Sequence, residues 1–292
     1  MLQQLTLGTV QFGLNYGVSN SVGKVSPKEV ESILDFAYDN GITELDTAVA
    51  YGDSEIILGK LINGRFKVST KLPKLDLENH KNVREWTKSQ IESSLDRLNV
   101  NQIETLFLHD VSILFSPNAS EVYETIQDFV SKGVIRKFGL SIYSHHDLEK
   151  IPSYVHYNRI QCPINVFDRS LESSGWMDSL HKKGIEIQAR SIFLQGILLM
   201  KKETRPKYFS KWSGLFEKWD KAIERNQISP TLFCILFIKS LEKVSNVVFG
   251  VESKNQLSEI ISHFKESRTL QFLDELSSDD EDLIYPFRWQ LK

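Results

Sequence analysis

Cysteine is almost absent from this chain of 292 residues. The two present, Cys162 and Cys234, sit in the apolar contexts IQCPI and LFCILF. They read as buried free thiols of a reducing compartment, which excludes a disulfide framework. An excess of charge of one sign is missing too. Against 35 Lys and Arg stand 38 Asp and Glu, a net charge of −3, so neither nucleic acid nor an anionic membrane is expected as the main partner. Long hydrophobic runs are lacking: LFCILFI at 232–238 is far too short to span a bilayer. The start, MLQQLTLGTV, has neither a basic n-region nor an apolar h-region. No signal peptide is expected, and the cytoplasm is the default location. No linker, low-complexity tract or short-period repeat divides the sequence, so 1–292 is expected to be one domain. No GxGxxG follows any expected strand, which argues against a doubly wound dinucleotide-binding sheet.

What the chain does have is 41% apolar residues, ample for one large core, and a regular alternation. Strand-like runs fall near 4–9, 43–46, 66–70, 103–108, 137–141, 157–161, 185–190 and 246–250, with amphipathic stretches between them. In SPKEVESILDFAYDNG, Ser26 suits an N-cap, Pro27 suits N1 and Glu29 completes a capping box. Val30, Ile33, Leu34, Phe36 and Ala37 make one face, and Gly41 ends the helix. IESSLDRLNV at 91–100 reads as another helix. SPTLFCILFIKSL from Ser229 is apolar nearly all round and belongs between the barrel and its neighbours. Eight β/α alternations in this length predict an α/β fold, a (β/α)8 TIM barrel.

In such a barrel chemistry gathers at the carboxyl ends of the strands. Asp46 closes ITELD, Lys71 closes FKVSTK, His109 follows TLFL, and Tyr51 comes five residues after Asp46. An acid, a phenol, an amine and an imidazole converging there suit reduction of a carbonyl, which needs a proton donor at the oxygen. Tyr51 is the acid, although a free phenol titrates near pH 10. A neighbouring ammonium favours the phenolate, so Lys71 is expected to lower the pKa of Tyr51. Asp46 holds that buried ammonium charged. His109 orients the carbonyl oxygen as an oxyanion-hole donor does.

The segments LDTAVAYGDSE, VSTKL and LFLHD also resemble the signatures of the aldo-keto reductases. LGTVQFG, FGLS, ARSIFLQGIL and GVESKNQLSEI resemble further family segments, in order and at barrel spacing. The resemblance implies a nicotinamide cofactor: NADP, with NAD as the alternative. Gly8 and Thr9 would line the nicotinamide floor, with Ser141 and Gln161 near the carboxamide. Arg190, Ser191, Leu194, Gln195 and Gly196 would form the loop around the pyrophosphate. Gly250, Val251, Ser253, Gln256 and Glu259 would grip the adenosine end, Glu259 meeting the adenine amino group. The phosphate-facing parts agree with elementary chemistry, since hydroxyls, backbone N–H groups and a helix start suit an anion.

Departures from the family pattern stand beside these matches. Ile142 replaces the asparagine after the fifth-strand serine, and Arg190 replaces the aromatic that stacks on the nicotinamide. Arg190 can stack through its planar guanidinium or attract an acidic substrate. Gln256 replaces the basic residue against the 2′-phosphate, Ile260 replaces the asparagine after Glu259, and Glu252 and Lys254 add opposite charges nearby.

The remaining features read as structural. His145 and His146 are expected to cap a helix from Asp147, with no third metal ligand evident, so no metal is expected. His80, His156, His181 and His263 read as surface or satisfied positions. Trp212, Phe216 and Trp219 read as a helix face, with a lid over the substrate as the alternative. Lys201, Lys202, Arg205, Lys207 and Lys211 read as a solvated face, with a phosphate or nucleotide-linked sugar as the alternative partner. Arg288 and Trp289 of the tail are expected near the active-site rim.

The expected function is NAD(P)H-dependent reduction of a small-molecule aldehyde or ketone. Similarity to bacterial reductases of surface-polysaccharide pathways points to a sugar or sugar derivative. The alternatives are a non-catalytic nicotinamide-nucleotide-sensing subunit and a Schiff-base aldolase using Lys71. Oligomeric state and substrate identity stay open.

Overall fold

The computed structural model describes residues 4–76, 82–272 and 274–291; His80 lies outside them. Eight parallel strands close into a barrel in sequence order: β1 (Gln4–Gly8), β2 (Glu44–Asp46), β3 (Lys67–Leu72), β4 (Ile103–Leu108), β5 (Ile135–Ser141), β6 (Arg159–Pro163), β7 (Glu186–Arg190) and β8 (Asn246–Gly250). β8 closes on β1 through the register Gly8 to Gly250. The TIM barrel expected from the alternation is therefore the fold. The third strand runs two residues beyond its expected end, so Lys71 lies inside it.

Helices cover the outside. Pro27–Asp39 begins as expected: Ser26 accepts the backbone N–H of Glu29, and Pro27 occupies the first turn. The capping box is not closed, because the Glu29 carboxylate instead accepts the backbone N–H of Lys254 at 2.7 Å. The helix expected from 91 starts earlier and spans Val83–Leu98, capped by Asn82. Pro230–Ser240 buries every residue from Leu232 to Ile238, as an all-round apolar helix between two packed layers must. Between β5 and β6 the helix is the single turn His146–Glu149, which leaves the loop after β5 free to approach the barrel mouth.

The barrel interior is unusually polar. The side chains alternate along each strand, so Leu45, Val68 and Ile160 face the helices while Glu44, Asp46, Ser69, Lys71, Arg159 and Gln161 face inward, all buried. Contacts across the barrel fix this assignment. Arg159 of β6 pairs with Glu44 of β2, and its Nε donates to Glu186 of β7 at 2.7 Å. Glu44 also accepts Ser69 Oγ at 3.1 Å, and Glu186 accepts Lys137 Nζ at 2.6 Å. Two cations thus face two carboxylates. Among the described residues, no helix is long and apolar enough to cross a membrane.

Candidate active site

Above that lower network, at the carboxyl ends of the strands, a cavity of about 520 Å³ opens to the surface. Asp46 ends β2 and shares its carboxylate between two strands. Oδ2 accepts Lys71 Nζ at 2.5 Å and Oδ1 accepts Gln161 Nε2 at 2.7 Å. Lys71 also donates to the Thr47 carbonyl at 2.8 Å. Its Nζ lies 4.9 Å from the centre of the Tyr51 ring, and the His109 ring meets Tyr51 edge to face at 5.8 Å. The four residues expected from the sequence do converge.

Local sequence explains where Tyr51 stands. It sits in a tight turn before helix Ser54–Leu61, and Ser54 N donates to its carbonyl. Gly13 packs so closely there that a Cβ would come within 1.8 Å of that carbonyl oxygen. Gly52 follows at φ +58°, a conformation that costs glycine little. Beneath the turn, Thr9, Thr47 and Ser54 form a buried hydroxyl cluster: Thr47 donates to Ser54 at 3.1 Å, and Ser54 lies 2.9 Å from Thr9 Oγ1.

Burial dominates the electrostatics. It pushes the Tyr51 phenol upward, the Asp46 carboxylate pushes the same way, and the Arg190 guanidinium opposes them. This corrects the expectation that Lys71 lowers it: in a dry site, loss of solvation outweighs a charge that Asp46 already neutralises. Burial likewise pushes Lys71 down, with Asp46 acting in the opposite direction. Burial, then the charges of Lys71 and Arg190, push His109 down to about 3, so it is neutral at physiological pH with one N–H to give. The site thus holds a protonated phenol and a neutral imidazole side by side.

The expected cofactor residues divide into two groups. Gly8, Thr9, Gln161, Arg190, Ser191, Gln195, Gly196, Gly250, Gln256 and Glu259 line the cavity. Ser141, Leu194 and Val251 do not, being buried behind the wall. Ser253 does not line it either. It is the N-cap of helix Lys254–Lys265 and accepts the Gln256 N–H. Ser191, Leu194 and Gln195 have φ of +55°, +46° and +52°, rare values for residues bearing a Cβ and frequent in functional loops. Val18 N holds this loop through the Gln195 carbonyl at 2.9 Å. Arg190 donates to the Ile142 carbonyl at 3.1 Å and lies 4.5 Å over the Tyr143 ring.

Ser144 Oγ accepts His146 N, and the Asp147 carboxylate accepts Tyr143 N and Ser144 N; the imidazoles do not cap. Glu149 joins them, with one ligand atom of each within 4.8 Å of the others, so a third group is nearby after all. His263 Nε2 is satisfied at 3.4 Å from both Ser229 Oγ and Glu259 Oε1. Cys162 and Cys234 are buried and free. Phe216 and Trp219 are buried on Phe167, and Trp212 donates to Asp280; this is a packed face, away from the cavity. Arg205 pairs with Asp220. The tail reaches the rim through Phe287, edge-on to Tyr143 at 4.8 Å, while Trp289 packs on Phe209 and Arg288 pairs with Glu281.

Among the lining residues that sequence reading missed are Gln11, Tyr16 and Tyr143, while Glu252, noted there only as a nearby charge, is part of the wall. Gln11 Oε1 is a buried acceptor without a partner. The Tyr16 hydroxyl accepts Gln195 Nε2 at 3.0 Å and is pushed up to about 12 by burial, with Tyr51 adding to it. Tyr16 follows β1 in a polar loop without periodicity, so nothing local marks it.

Known proteins resemble this chain along most of its length. Uncharacterized oxidoreductase YqkF of Bacillus subtilis is 27% identical over 274 residues, covering 87% of this chain and 88% of its own. L-galactose dehydrogenase of Arabidopsis thaliana is 24% identical, covering 97% and 92%. The match to D-arabinose 1-dehydrogenase of Saccharomyces cerevisiae is 27% identical but spans 39% of this chain and only 36% of that protein. The match to aldo-keto reductase YhdN of Bacillus subtilis spans 44% of that protein. Among solved structures, the holo form of an aldo-keto reductase from Bacillus halodurans superimposes with a TM-score of 0.70 at 20% identity, covering 92% of this chain and 88% of its own. That likeness speaks for the fold. The aldo/keto reductase family model runs from residue 4 to residue 278, and the chain belongs to that family.

Proposed function

We propose that the protein reduces an aldehyde or ketone to an alcohol with a nicotinamide dinucleotide, using Tyr51 as proton donor. The observation that carries this reading is the stack of Asp46, Lys71 and Tyr51 at the cavity floor, with His109 edge-on to the phenol. A dinucleotide fits the residues present. The cavity runs from Tyr51 to Glu259 without interruption, and Gln11 Oε1 awaits a hydroxyl or amide donor. Gly8, Thr9 and Gln161 would hold its nicotinamide end and the 191–196 loop its phosphates. When bound, the nicotinamide supplies the hydride that adds to the carbonyl carbon.

The chain's own groups do the rest. Tyr51, kept protonated by burial, gives its proton to the carbonyl oxygen. Neutral His109 donates a hydrogen bond to that oxygen and aims it. Lys71 and Asp46 stabilise the phenolate left behind and fix its position. Tyr16, Tyr143 and Arg190 give the mouth polar groups suited to a hydroxylated substrate. The sugar-related names of D-arabinose 1-dehydrogenase and L-galactose dehydrogenase support a sugar or sugar derivative as substrate. A Schiff-base reading of Lys71 is disfavoured, because a nucleophilic amine must be neutral and free, whereas this one sits 2.5 Å from a carboxylate.

The test is Tyr51→Phe. Turnover should fall at least about 100-fold, the lower bound for losing a general acid, with cofactor affinity unchanged. Normal turnover in this variant would remove Tyr51 from the mechanism.

A further inference from the structure

We propose that the cavity selects the dinucleotide without a 2′-phosphate, NADH, and discriminates against NADPH through Glu252 and Glu29. The inference rests on the dinucleotide reading above and reverses the preference expected from the sequence.

The reactive ring must lie by Tyr51 and His109. An extended dinucleotide then ends at the opposite wall, formed by Gly250, Glu252, Gln256, Glu259 and Ile260. A 2′-phosphate there is close to a dianion at neutral pH, as other phosphomonoesters are. It needs arginine, lysine or free backbone N–H groups. Among the described residues lining the cavity, Arg190 is the one arginine or lysine. It belongs to the nicotinamide end, where it is held by the Ile142 carbonyl. At the far wall the charged side chains are two carboxylates, Glu252 and Glu259. Lys254 does not compensate. Its ammonium lies 5.2 Å over the Phe36 ring, on the outer helix rather than in the cavity.

The start of helix Lys254–Lys265 would be the natural phosphate site, but three N–H groups around it are already engaged. Lys254 N gives its hydrogen to the Glu29 carboxylate at 2.7 Å. Gln256 N gives to Ser253 Oγ at 3.2 Å, and Glu252 N gives to Gln256 Oε1 at 2.7 Å. An internal carboxylate thus occupies the end of the helix dipole that a phosphate would seek. A ribose with free 2′ and 3′ hydroxyls has the opposite requirement. It donates two O–H groups, and a carboxylate at the wall accepts them; this is how acidic residues favour the unphosphorylated cofactor in other dinucleotide sites. Burial pushes the Glu252 carboxyl upward, and a hydrogen bond from the Gln256 side chain opposes that push.

Fluorescence titration of the purified protein with NADH and with NADPH tests this, with thermal melting as a second readout. NADH should bind at least about ten-fold tighter, a difference of about 1.4 kcal/mol, and raise the melting temperature more. Glu252→Arg should shrink or invert that ratio chiefly by tightening NADPH. Glu29→Ala, which frees the Lys254 N–H, should tighten NADPH and leave NADH nearly unchanged. NADPH binding as tightly as NADH to the native protein overturns the inference. So does a ratio unmoved in both variants while their unliganded melting stays native. Binding of neither cofactor would overturn the dinucleotide reading itself, and this inference with it.

Discussion

Two buried ion pairs sit two residues apart on the same inward faces of the barrel. The lower one joins Glu44 of β2 to Arg159 of β6, with Glu186, Ser69 and Lys137 around it. The upper one joins Asp46 of β2 to Lys71 of β3, with Gln161 of β6 beside it. The ingredients are alike. The lower network is closed on itself: the guanidinium fork meets two carboxylates, and each carboxylate meets a further donor. Burial pushes the Glu186 carboxyl up, but Lys137 and Arg159 outweigh it and hold that carboxyl below its usual range. The upper pair borders a cavity and lies under a phenol and an imidazole whose protonation burial controls. On the proposed function, the contrast separates a buried charge that braces a fold from one arranged to act, and the criterion is a neighbouring space with titratable groups facing it.

The sharpest way to break the comparison is to cut each pair in the same manner. Arg159→Met leaves Glu44 without its cation in a dry interior and should destabilise by about 3–5 kcal/mol. Urea unfolding reads that loss, and turnover per folded molecule should stay near native. Lys71→Met should do the reverse: a turnover loss approaching the roughly 100-fold scale of losing the acid, with a smaller loss of stability, because Asp46 keeps Gln161 and borders the cavity. Equal stability losses in the two variants would erase the distinction drawn between the pairs. Full recovery of Lys71→Met turnover at higher pH would show that the lysine has no positioning role.

A smaller effect follows from His109. Its folded pKa of about 3 lies below the usual value near 6.5 of an unfolded chain. Between those values the unfolded state binds the extra proton. Stability therefore rises with pH through that window, and the effect is gone above about 6.5. His109→Gln should flatten this part of the stability curve. An unchanged slope between pH 4 and 6.5 would mean that the imidazole is not held neutral by the fold.

The order of elements was legible because alternation, caps and apolar runs are local signals. So were the four converging residues, each placed at or just beyond a strand end. Less legible were the interactions that cross the barrel. Glu29 looked like the partner of its own helix, yet it serves the helix after β8. Lys71 looked like a tuner of the phenol, yet burial sets the direction. Gln11, although inside LGTVQFG, and Tyr16 carried no mark of a role, and the helical turn Val10–Gly13 and the loop after it brought them to the cavity.

By itself the sequence determined the barrel, the identity of its strand-end residues and the family, since periodicity and residue type act over a few neighbours. Only the tertiary structure decided which charges neutralise one another, which helix start is already occupied and which groups are dry. Those depend on distances across a closed sheet, between residues such as Glu29 and Lys254 that are 225 positions apart, and no local pattern encodes such distances.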